Sequence, residues 1–465
     1  MTDANLKSAL YILAFALFIY GLSGLTGPRT AVRGNRIAAV GMVIAVAATL
    51  LVDPINNIVL IVLGLLIGVA VGVPAARQVR MTAMPQMVAL FNGVGGGAVA
   101  LIAWAEFRET GGFATEPTYV AIFSIFSALV GSISFWGSNI AFAKLQALMS
   151  GSPKSLGALQ LPVQVVIGAV ALGAGVFMIA EPQDEIFMIA LLVAAGIVGV
   201  MLVLPIGGAD MPVVISLLNA FTGLAAAAAG VALDNQALIV AGMIVGASGT
   251  ILTQQMAIAM NRTITSVVVG GFGGDSVAAG PGADGAEGGT VRSTSAADAA
   301  IQMSYARQVV VVPGYGMAVA QAQHAVREMA KVLEAKGVEV KYAIHPVAGR
   351  MPGHMNVLLA EADVPYEQLK EMDEINQEFG RTDVSLVIGA NDVTNPDARN
   401  KADSPIYGMP ILNVDESGSV IVLKRSMSSG YAGIENPLFY NDKTQMLFGD
   451  AKASVGEITA ELGAL

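Results

Sequence analysis

The chain has 465 residues, of which 54% are hydrophobic and 13% are charged, and its mean hydropathy is +0.65. Soluble globular proteins carry roughly a quarter charged residues, so much of this chain is expected to lie in a lipid bilayer. Cysteine is absent, which excludes disulfides and thiolate metal sites. We expect no metal site and no nucleic-acid partner.

Charge is divided unevenly along the chain. Residues 1–262 hold ten Lys and Arg against ten Asp and Glu, so this part is formally neutral. The formal charge of −10 therefore belongs to residues 263–465. The sequence predicts a neutral membrane domain, residues 1–262, followed by an acidic soluble domain.

Nine apolar segments before residue 262 are long enough, or nearly so, to cross a bilayer as helices. They lie near residues 8–25, 37–53, 57–76, 84–105, 117–142, 160–180, 186–206, 212–232 and 237–258. The first segment has a weak basic flank and no small-residue cleavage site followed by a soluble domain. It is therefore interpreted as a retained helix rather than a signal peptide.

Loop charges indicate the orientation, since Lys and Arg collect on the cytoplasmic side of a membrane. Eight of the ten basic residues fall in the connections after the first, third, fifth and ninth segments, whereas Lys7 and Arg108 fall on the other face. We therefore expect the N-terminus outside and the C-terminal domain inside.

Polar residues are few within the predicted spans, and each costs free energy unless it pairs or faces water. Asn92 lies in the fourth span, Asn219 in the eighth, and Asp210 in the G-G-A-D-M-P turn between the seventh and eighth. A membrane Asn often does no more than hydrogen-bond a neighbouring helix, so a structural role and a role in a proton path both stay open.

The soluble part begins with a change of composition. Residues 263–303 are rich in Gly, Ala, Ser and Asp and are predicted to be a flexible linker. Strands are predicted near 308–312, 338–344, 384–388, 410–413 and 419–423, with helices near 317–335, 353–361 and 366–379. This alternation is typical of an α/β, doubly wound, Rossmann-like parallel sheet, assigned here to residues 304–465.

The run Q-V-V-V-V-P-G-Y-G-M-A-V-A at 308–320 has the pattern of a buried strand, a glycine turn and a helix. Such a unit binds a pyrophosphate, because the glycines permit a tight turn and let backbone N–H groups approach the phosphates at the helix start. Val319 stands where the third glycine of G-x-G-x-x-G would be. A valine strand before a glycine turn also occurs in cores that bind no nucleotide.

Three further features bear on which nucleotide is bound. The second strand ends at His345 instead of the Asp or Glu that holds the ribose 2′-OH of NAD. The run K-R-S at 424–426 follows another strand and suits a 2′-phosphate, which favours NADP, although a solvated basic pair is the alternative. Asn391 and Asp392 follow a third strand, where they either cap a turn or place Asp392 near a nicotinamide.

Five motifs in one order resemble the β subunits of the proton-translocating NAD(P) transhydrogenases over essentially the whole chain. They are G-G-A-D-M-P-V-V at 207–214, P-G-Y-G-M-A-V-A-Q-A-Q at 313–323, H-P-V-A-G-R-M-P-G-H-M-N-V-L-L-A-E-A at 345–362, G-A-N-D-V-T-N-P at 389–396 and K-R-S-M-S-S-G-Y-A-G-I-E-N-P-L-F at 424–439.

The resemblance implies that residues 304–465 bind NADP(H), and that a partner α subunit binds NAD(H) and supplies the hydride. It also implies a homodimer of the assembled unit in a bacterial inner membrane, with the N-terminus periplasmic and the NADP domain cytoplasmic. The implied cofactor site comprises Gly314, Tyr315, Gly316, Met317, Ala318, Val319, His345, Val347, Gly349, Arg350, Met351, Gly389, Ala390, Asn391, Asp392, Lys424, Arg425, Ser426, Gly430, Tyr431 and Ala432.

The resemblance also bears on the proton path, for which Asp210, Asn92 and Asn219 are the candidates. Some members of the family carry a histidine on the helix that here holds Asn92, and this sequence has no histidine before residue 300. Asn92 and Asn219 are therefore expected to line the path and not to carry the proton. Asp210 is the expected titrating group on the cytoplasmic side.

Two other functions remain open from the sequence alone. A transporter whose sheet domain senses NADP(H) would need a selectivity filter or discontinuous charged helices, and neither is visible. A membrane-anchored NADP dehydrogenase would need a general acid or base near the nicotinamide, and a carboxylate such as Asp392 is a poor proton donor at neutral pH. Either protein would work without a second nucleotide-binding chain.

Overall fold

The computed structural model describes residues 3–52, 57–80, 83–114, 116–146, 148–149, 154–180, 184–207, 210–260, 263–265, 291–350, 353–404, 406–430 and 432–465. These residues form two compact units, one made largely of long helices and one built around a parallel sheet. Each unit is described by itself.

Nine helices among the described residues are long and apolar enough to cross a bilayer, which confirms the predicted number and a multi-pass membrane architecture. They are α1 (Asp3–Ser23), α2 (Pro28–Val52), α3 (Ile58–Gln78), α4 (Met84–Glu109), α5 (Thr118–Leu145), α6 (Gln160–Ala180), α7 (Glu185–Val203), α8 (Met211–Ala232) and α9 (Gln236–Ala259). Helix α2 begins well before the predicted residue 37, so Arg33 and Arg36 lie on the helix and not in a loop.

Small residues let the helices of this unit approach closely. A Cβ on Gly96 of α4 would lie 2.9 Å from the carbonyl oxygen of Gly131 on α5, and a Cβ on Gly131 would lie 2.7 Å from that of Gly96. Helices α8 and α9 meet in the same way at Gly223 and Gly246. In a bilayer, where helix association depends on packing, such glycines bring backbones into contact.

The second unit is a sheet of six parallel strands in the order β3-β2-β1-β4-β5-β6. The strands are β1 (Gln308–Pro313), β2 (Glu339–Ile344), β3 (Leu369–Glu371), β4 (Val384–Ile388), β5 (Ser419–Lys424) and β6 (Thr444–Phe448). The helices of this unit are α10 (Ala296–Ser304), α11 (Tyr315–Val319), α12 (Gln323–Ala335), α13 (His354–Glu361), α14 (Met372–Ile375), α15 (Asp397–Asn400) and α16 (Ala451–Ala464).

This strand order is that of the Rossmann fold, so the predicted fold class is confirmed. Every residue of β1 is buried, as expected of a valine run at the centre of a sheet covered on both faces. The order reverses between β1 and β4, and ligands of open α/β sheets bind in the crevice at such a point.

Some predicted elements of this unit are wrong. Residues 410–413 form no strand, and the third strand is β3, within the predicted helix 366–379. The predicted helix 317–335 is broken into α11 and α12 by Gln321, which has a left-handed φ of +50°. The strand β6 and the helix α16 were not predicted.

The end of the predicted linker also differs. Residues 291–303 belong to the sheet unit: Thr294 donates to the carbonyl oxygen of Met446 on β6, and Met446 donates to that of Arg292. Helix α10 follows, capped by the Ser295 hydroxyl, which accepts from the backbone N–H of Asp298. The sheet unit therefore begins by residue 291, ahead of the predicted residue 304.

The amino end of the sheet is held by a half-buried carboxylate, Glu378, which yields a prediction. It accepts from Lys341 Nζ at 2.7 Å and Gln308 Nε2 at 2.8 Å, and it pairs with Arg381 at 3.0 Å. Burial alone would raise the pKa of Glu378, but these bonds lower it to about 2. They therefore stabilise the fold above the unfolded value of about 4.3, and the stabilisation is lost as the pH falls towards 2.

We expect Glu378→Gln to destabilise the protein by about 2 kcal/mol at pH 7 and by clearly less at pH 3. Thermal unfolding of the full chain at both pH values measures the difference, with Glu457→Gln on the exposed face of α16 as the control. An equal loss at the two pH values would show that the charge of Glu378 contributes nothing.

Candidate functional site

The loops that follow β1 and β4 touch backbone to backbone. Gly314 N–H donates to the carbonyl oxygen of Ile388 and Gly316 N–H to that of Gly389, both at 2.9 Å. A Cβ on Gly316 would lie 2.6 Å from Gly389 Cα, and Gly389 has a left-handed φ of +65°. The glycines thus let the two predicted loops interlock at the point where the strand order reverses.

Helix α11 begins directly at this turn, but it is only five residues long. Met317 and Ala318 are buried against the sheet, whereas Val319 is exposed. The N–H groups of Gly314 and Gly316 already donate to the carbonyl oxygens of Ile388, the last residue of β4, and of Gly389. These two glycines therefore do not form the predicted cradle of N–H groups for a phosphate at the start of a long helix. Their role in this structure is close packing of the backbone.

The loop after β2 brings Arg350 to the glycine turn. Its guanidinium lies over the ring of Tyr315, 4.5 Å from the ring centroid. Val347 in the same loop donates its N–H to His345 Nδ1 at 3.3 Å, and His345 Nε2 lies 2.8 Å from the carbonyl oxygen of Pro410. Met351 lies outside the described residues.

A second group forms around Asp392. Its Oδ2 accepts the N–H of Ala432 at 3.1 Å, and a Cβ on Gly430 would overlap the carboxylate. Lys424 is half-buried, with its Nζ 4.8 Å from the ring centroid of Phe439. Burial lowers the pKa of Lys424, and the charge of Asp392 acts in the opposite direction.

Asn391 joins the same group through a residue that the sequence did not single out. Asn436, which is 1% exposed, donates from Nδ2 to the carbonyl oxygen of Asn391 at 3.0 Å. Ala390, next to Asn391, is buried, whereas Arg425 and Ser426 are exposed, and Ser426 Oγ lies 2.8 Å from Ser428 Oγ. Tyr431 lies outside the described residues. Ala432 and Asn436 thus tie the chain that follows β5 to the β4 loop.

Asn92 of the membrane unit lies in a buried polar network that links three helices. Its Nδ2 donates to Ser138 Oγ at 2.9 Å and to Ser134 Oγ at 3.3 Å, both on α5. Ser134 Oγ in turn lies 2.5 Å from Thr222 Oγ1 on α8. Asn219 on α8 is half-buried and forms no hydrogen bond to Asn92 within the described part of the chain.

A buried cation, Lys144, binds the end of α7, ahead of the turn that carries Asp210. The sequence pattern placed Lys144 in a loop, but it lies in the last turn of α5 and is 5% exposed. Its Nζ donates to the carbonyl oxygens of Ile206 at 2.9 Å, Val203 at 3.3 Å and Leu204. Val203 is the last residue of α7, and Leu204 and Ile206 follow it, where carbonyls find no N–H partner within the helix. Lys144 therefore acts as a charged C-terminal cap, alongside the N–H groups of Ile206 and Lys154, which donate to Val203 and Leu204.

The two buried histidines of the sheet unit yield a second prediction. Burial lowers the pKa of His345 and of His354 to about 4. An unfolded histidine binds a proton near pH 6.5, so protons taken up only by the unfolded chain reduce the stability as the pH falls from 6.5 towards 4.

In nitrogen NMR spectra of the folded chain, we expect both rings to stay neutral, with the proton on Nε2, down to about pH 4. The chain has three histidines, so the signals that remain in a His324→Gln variant are those of the two buried rings. Protonation of either buried ring near pH 6.5 would contradict the expectation.

Comparison with known proteins identifies the family. A family model described as NAD(P) transhydrogenase beta subunit matches residues 7–461. The chain is 50% identical over 460 residues to the NAD(P) transhydrogenase subunit beta of Rhodospirillum rubrum, and the match covers 98% of each chain. The same identity and coverage hold for the NAD(P) transhydrogenase subunit beta of Rhodospirillum rubrum strain ATCC 11170. The chain therefore belongs to the family of NAD(P) transhydrogenase β subunits.

Proposed function

We propose that this chain is the membrane subunit of a proton-translocating transhydrogenase. Its sheet unit holds NADP(H), a partner α subunit holds NAD(H), and hydride transfer between them is linked to proton movement through the helical unit. The support is the family membership together with cationic side chains near the point where the strand order reverses.

The residues at this point fit a phosphorylated dinucleotide. Arg350 beside Tyr315 and Lys424 near Asp392 are half-buried cations, and Arg425 adds an exposed one. Guanidinium and ammonium groups are the usual partners of phosphate. No acid stands at the end of β2, where His345 lies, and this favours a 2′-phosphate over a free 2′-hydroxyl. The bound nucleotide supplies a nicotinamide that accepts or releases a hydride.

The individual roles follow from this assignment and are proposals. Arg350, Lys424 and Arg425 hold phosphates, while the glycine turn and the 389–392 loop shape the crevice. Asp392 lies near the nicotinamide, and the 428–436 segment covers the site. The remaining residues of the predicted cofactor site line it.

Proton movement through the membrane unit supplies the free energy that drives the reaction. Hydride transfer between NADH and NADP⁺ is nearly isoenergetic, whereas one proton crossing ~150–200 mV releases about 3.5–4.6 kcal/mol. That is enough for about a thousandfold shift of the product ratio. Within residues 1–262, Asn92 and Asn219 line the proton path, and Asp210 links proton movement along this path to the nucleotide reaction.

The proposal also includes the location of the protein. The chain lies in a bacterial inner membrane with its N-terminus in the periplasm and its sheet unit in the cytoplasm, and the assembled unit is a homodimer.

Equilibrium binding to the full chain in lipid nanodiscs tests the nucleotide assignment. We expect NADP⁺ to bind at least a hundredfold more tightly than NAD⁺, and Lys424→Ala and Arg425→Ala each to weaken NADP⁺ about tenfold or more. Lys452→Ala, on the exposed start of α16, is the matched control. Equal binding of NAD⁺ and NADP⁺ would contradict the assignment.

A further inference from the structure

The backbone of Arg350 is hydrogen-bonded to a buried ring that the proposed site does not include. The backbone N–H of Arg350 donates to His354 Nδ1 at 3.1 Å. His354 is 1% exposed, and its ring centroid lies 6.3 Å from that of Tyr315. His354 thus contacts the backbone of Arg350 and lies beside the ring on which the Arg350 guanidinium rests.

The backbone at Gly349 lies directly against this imidazole. Gly349 has a positive φ of +111°, and a Cβ built on it would lie 2.5 Å from His354 Nδ1 and 2.8 Å from its Cγ. A side chain at residue 349 would therefore push the loop off the ring. The glycine permits the contact, and the hydrogen bond to Nδ1 fixes it.

The hydrogen bond also defines the chemistry of the ring. Because Nδ1 accepts a backbone N–H, the proton of the neutral ring is on Nε2. His354 Nε2 is buried and has no hydrogen-bond partner among the described residues. Removing Nε2 therefore breaks no hydrogen bond that the described residues make, whereas removing Nδ1 leaves the N–H of Arg350 without its acceptor.

We propose that His354 is a positioning residue for the nucleotide site. Through Nδ1 it holds Arg350 against Tyr315, in the orientation that receives a phosphate of NADP(H). The proposal rests on the proposed function and assigns His354 no direct contact with the nucleotide.

Variants of His354 that keep or remove the acceptor test the proposal by NADP⁺ binding to the full chain in nanodiscs. An Asn side chain places an oxygen near the position of Nδ1, so His354→Asn is expected to bind within about threefold of wild type. His354→Gln and His354→Phe lose that acceptor, and Gly349→Ala displaces it, so each is expected to bind about tenfold more weakly. His324→Gln, on the exposed face of α12, is the control.

A double-mutant cycle separates positioning from a general effect on the fold. If His354 acts through Arg350, His354→Gln weakens binding in the wild-type background but adds nothing in Arg350→Ala. Losses that add in full, or wild-type affinity in His354→Gln, would overturn the proposal. Absence of NADP⁺ binding by the wild-type chain would instead overturn the proposed function.

Amide exchange supplies a test that needs no variant, should the Phe or Gln substitution prevent folding. In the unliganded wild-type chain the Arg350 amide is expected to exchange slowly, because its N–H is bonded to a buried acceptor. Fast exchange at Arg350 would show that the bond to His354 is absent, and the proposal would fail.

Discussion

Gly316→Ala is expected to lower NADP⁺ affinity about a hundredfold and to destabilise the sheet unit by about 3 kcal/mol. The added methyl would lie 2.6 Å from Gly389 Cα, a backbone atom that no side-chain rotation can move away. The loops after β1 and β4 must separate, and the Gly389–Asp392 loop then leaves the proposed site. Nucleotide titration and thermal unfolding of the full chain measure the two effects.

The matched control is Gly456→Ala on α16, where a Cβ would meet no atom within 4 Å. Alanine has the higher helix propensity, so this variant is expected to be neutral or slightly more stable, by up to about 1 kcal/mol. If Gly316→Ala behaves like Gly456→Ala, the interlocking of the two loops does not support the site.

Lys144→Met is expected to destabilise the membrane unit by about 2–4 kcal/mol. The methionine fills a similar volume but removes the charged donor that the carbonyls of Val203, Leu204 and Ile206 share. Val203 and Leu204 then keep only the backbone N–H groups of Ile206 and Lys154, which are neutral donors. The three carbonyls precede the turn that carries Asp210, so we also expect proton pumping to fall more than nucleotide binding. Unfolding in mixed detergent micelles and pumping in proteoliposomes are the measurements.

Lys154→Met serves as the control, because the Lys154 side chain is exposed. Lys144→Arg keeps the positive charge and several donors, and it is expected to restore most of the lost stability. Equal stability of Lys144→Met and wild type would show that lipid or water satisfies these carbonyls as well as the ammonium does.

Hydrophobic pattern was sufficient to predict the long elements. The apolar spans and the valine-rich central strands each carry a strong local signal, and the helical and parallel-sheet classes follow from it. The strand β3 has only three residues, L-K-E, without a run of β-branched residues. Pairing with β2 creates this strand, and a tertiary contact of that kind leaves no periodicity in the sequence.

The sequence predicted those parts of the candidate site in which the residue type itself indicates a role. Glycine turns, basic residues at strand ends and the acid after β4 were all singled out, although which of them hold nucleotide stays a prediction. Contacts between distant segments were not predictable. Asn436 bonded to Asn391, and the cap that Lys144 forms on α7, depend on three-dimensional packing, and His354 had no signal beyond its place in a recognised motif.

The most direct test of the central claim is hydride transfer in proteoliposomes that contain this chain and its α subunit. With NADH and NADP⁺ supplied and an internal pH dye present, we expect an imposed proton gradient to accelerate NADPH formation, and the reverse reaction to move protons. Neither should occur with this chain alone. Hydride transfer that ignores the gradient, or that proceeds without the α subunit, would contradict the assignment as a proton-coupled transhydrogenase subunit.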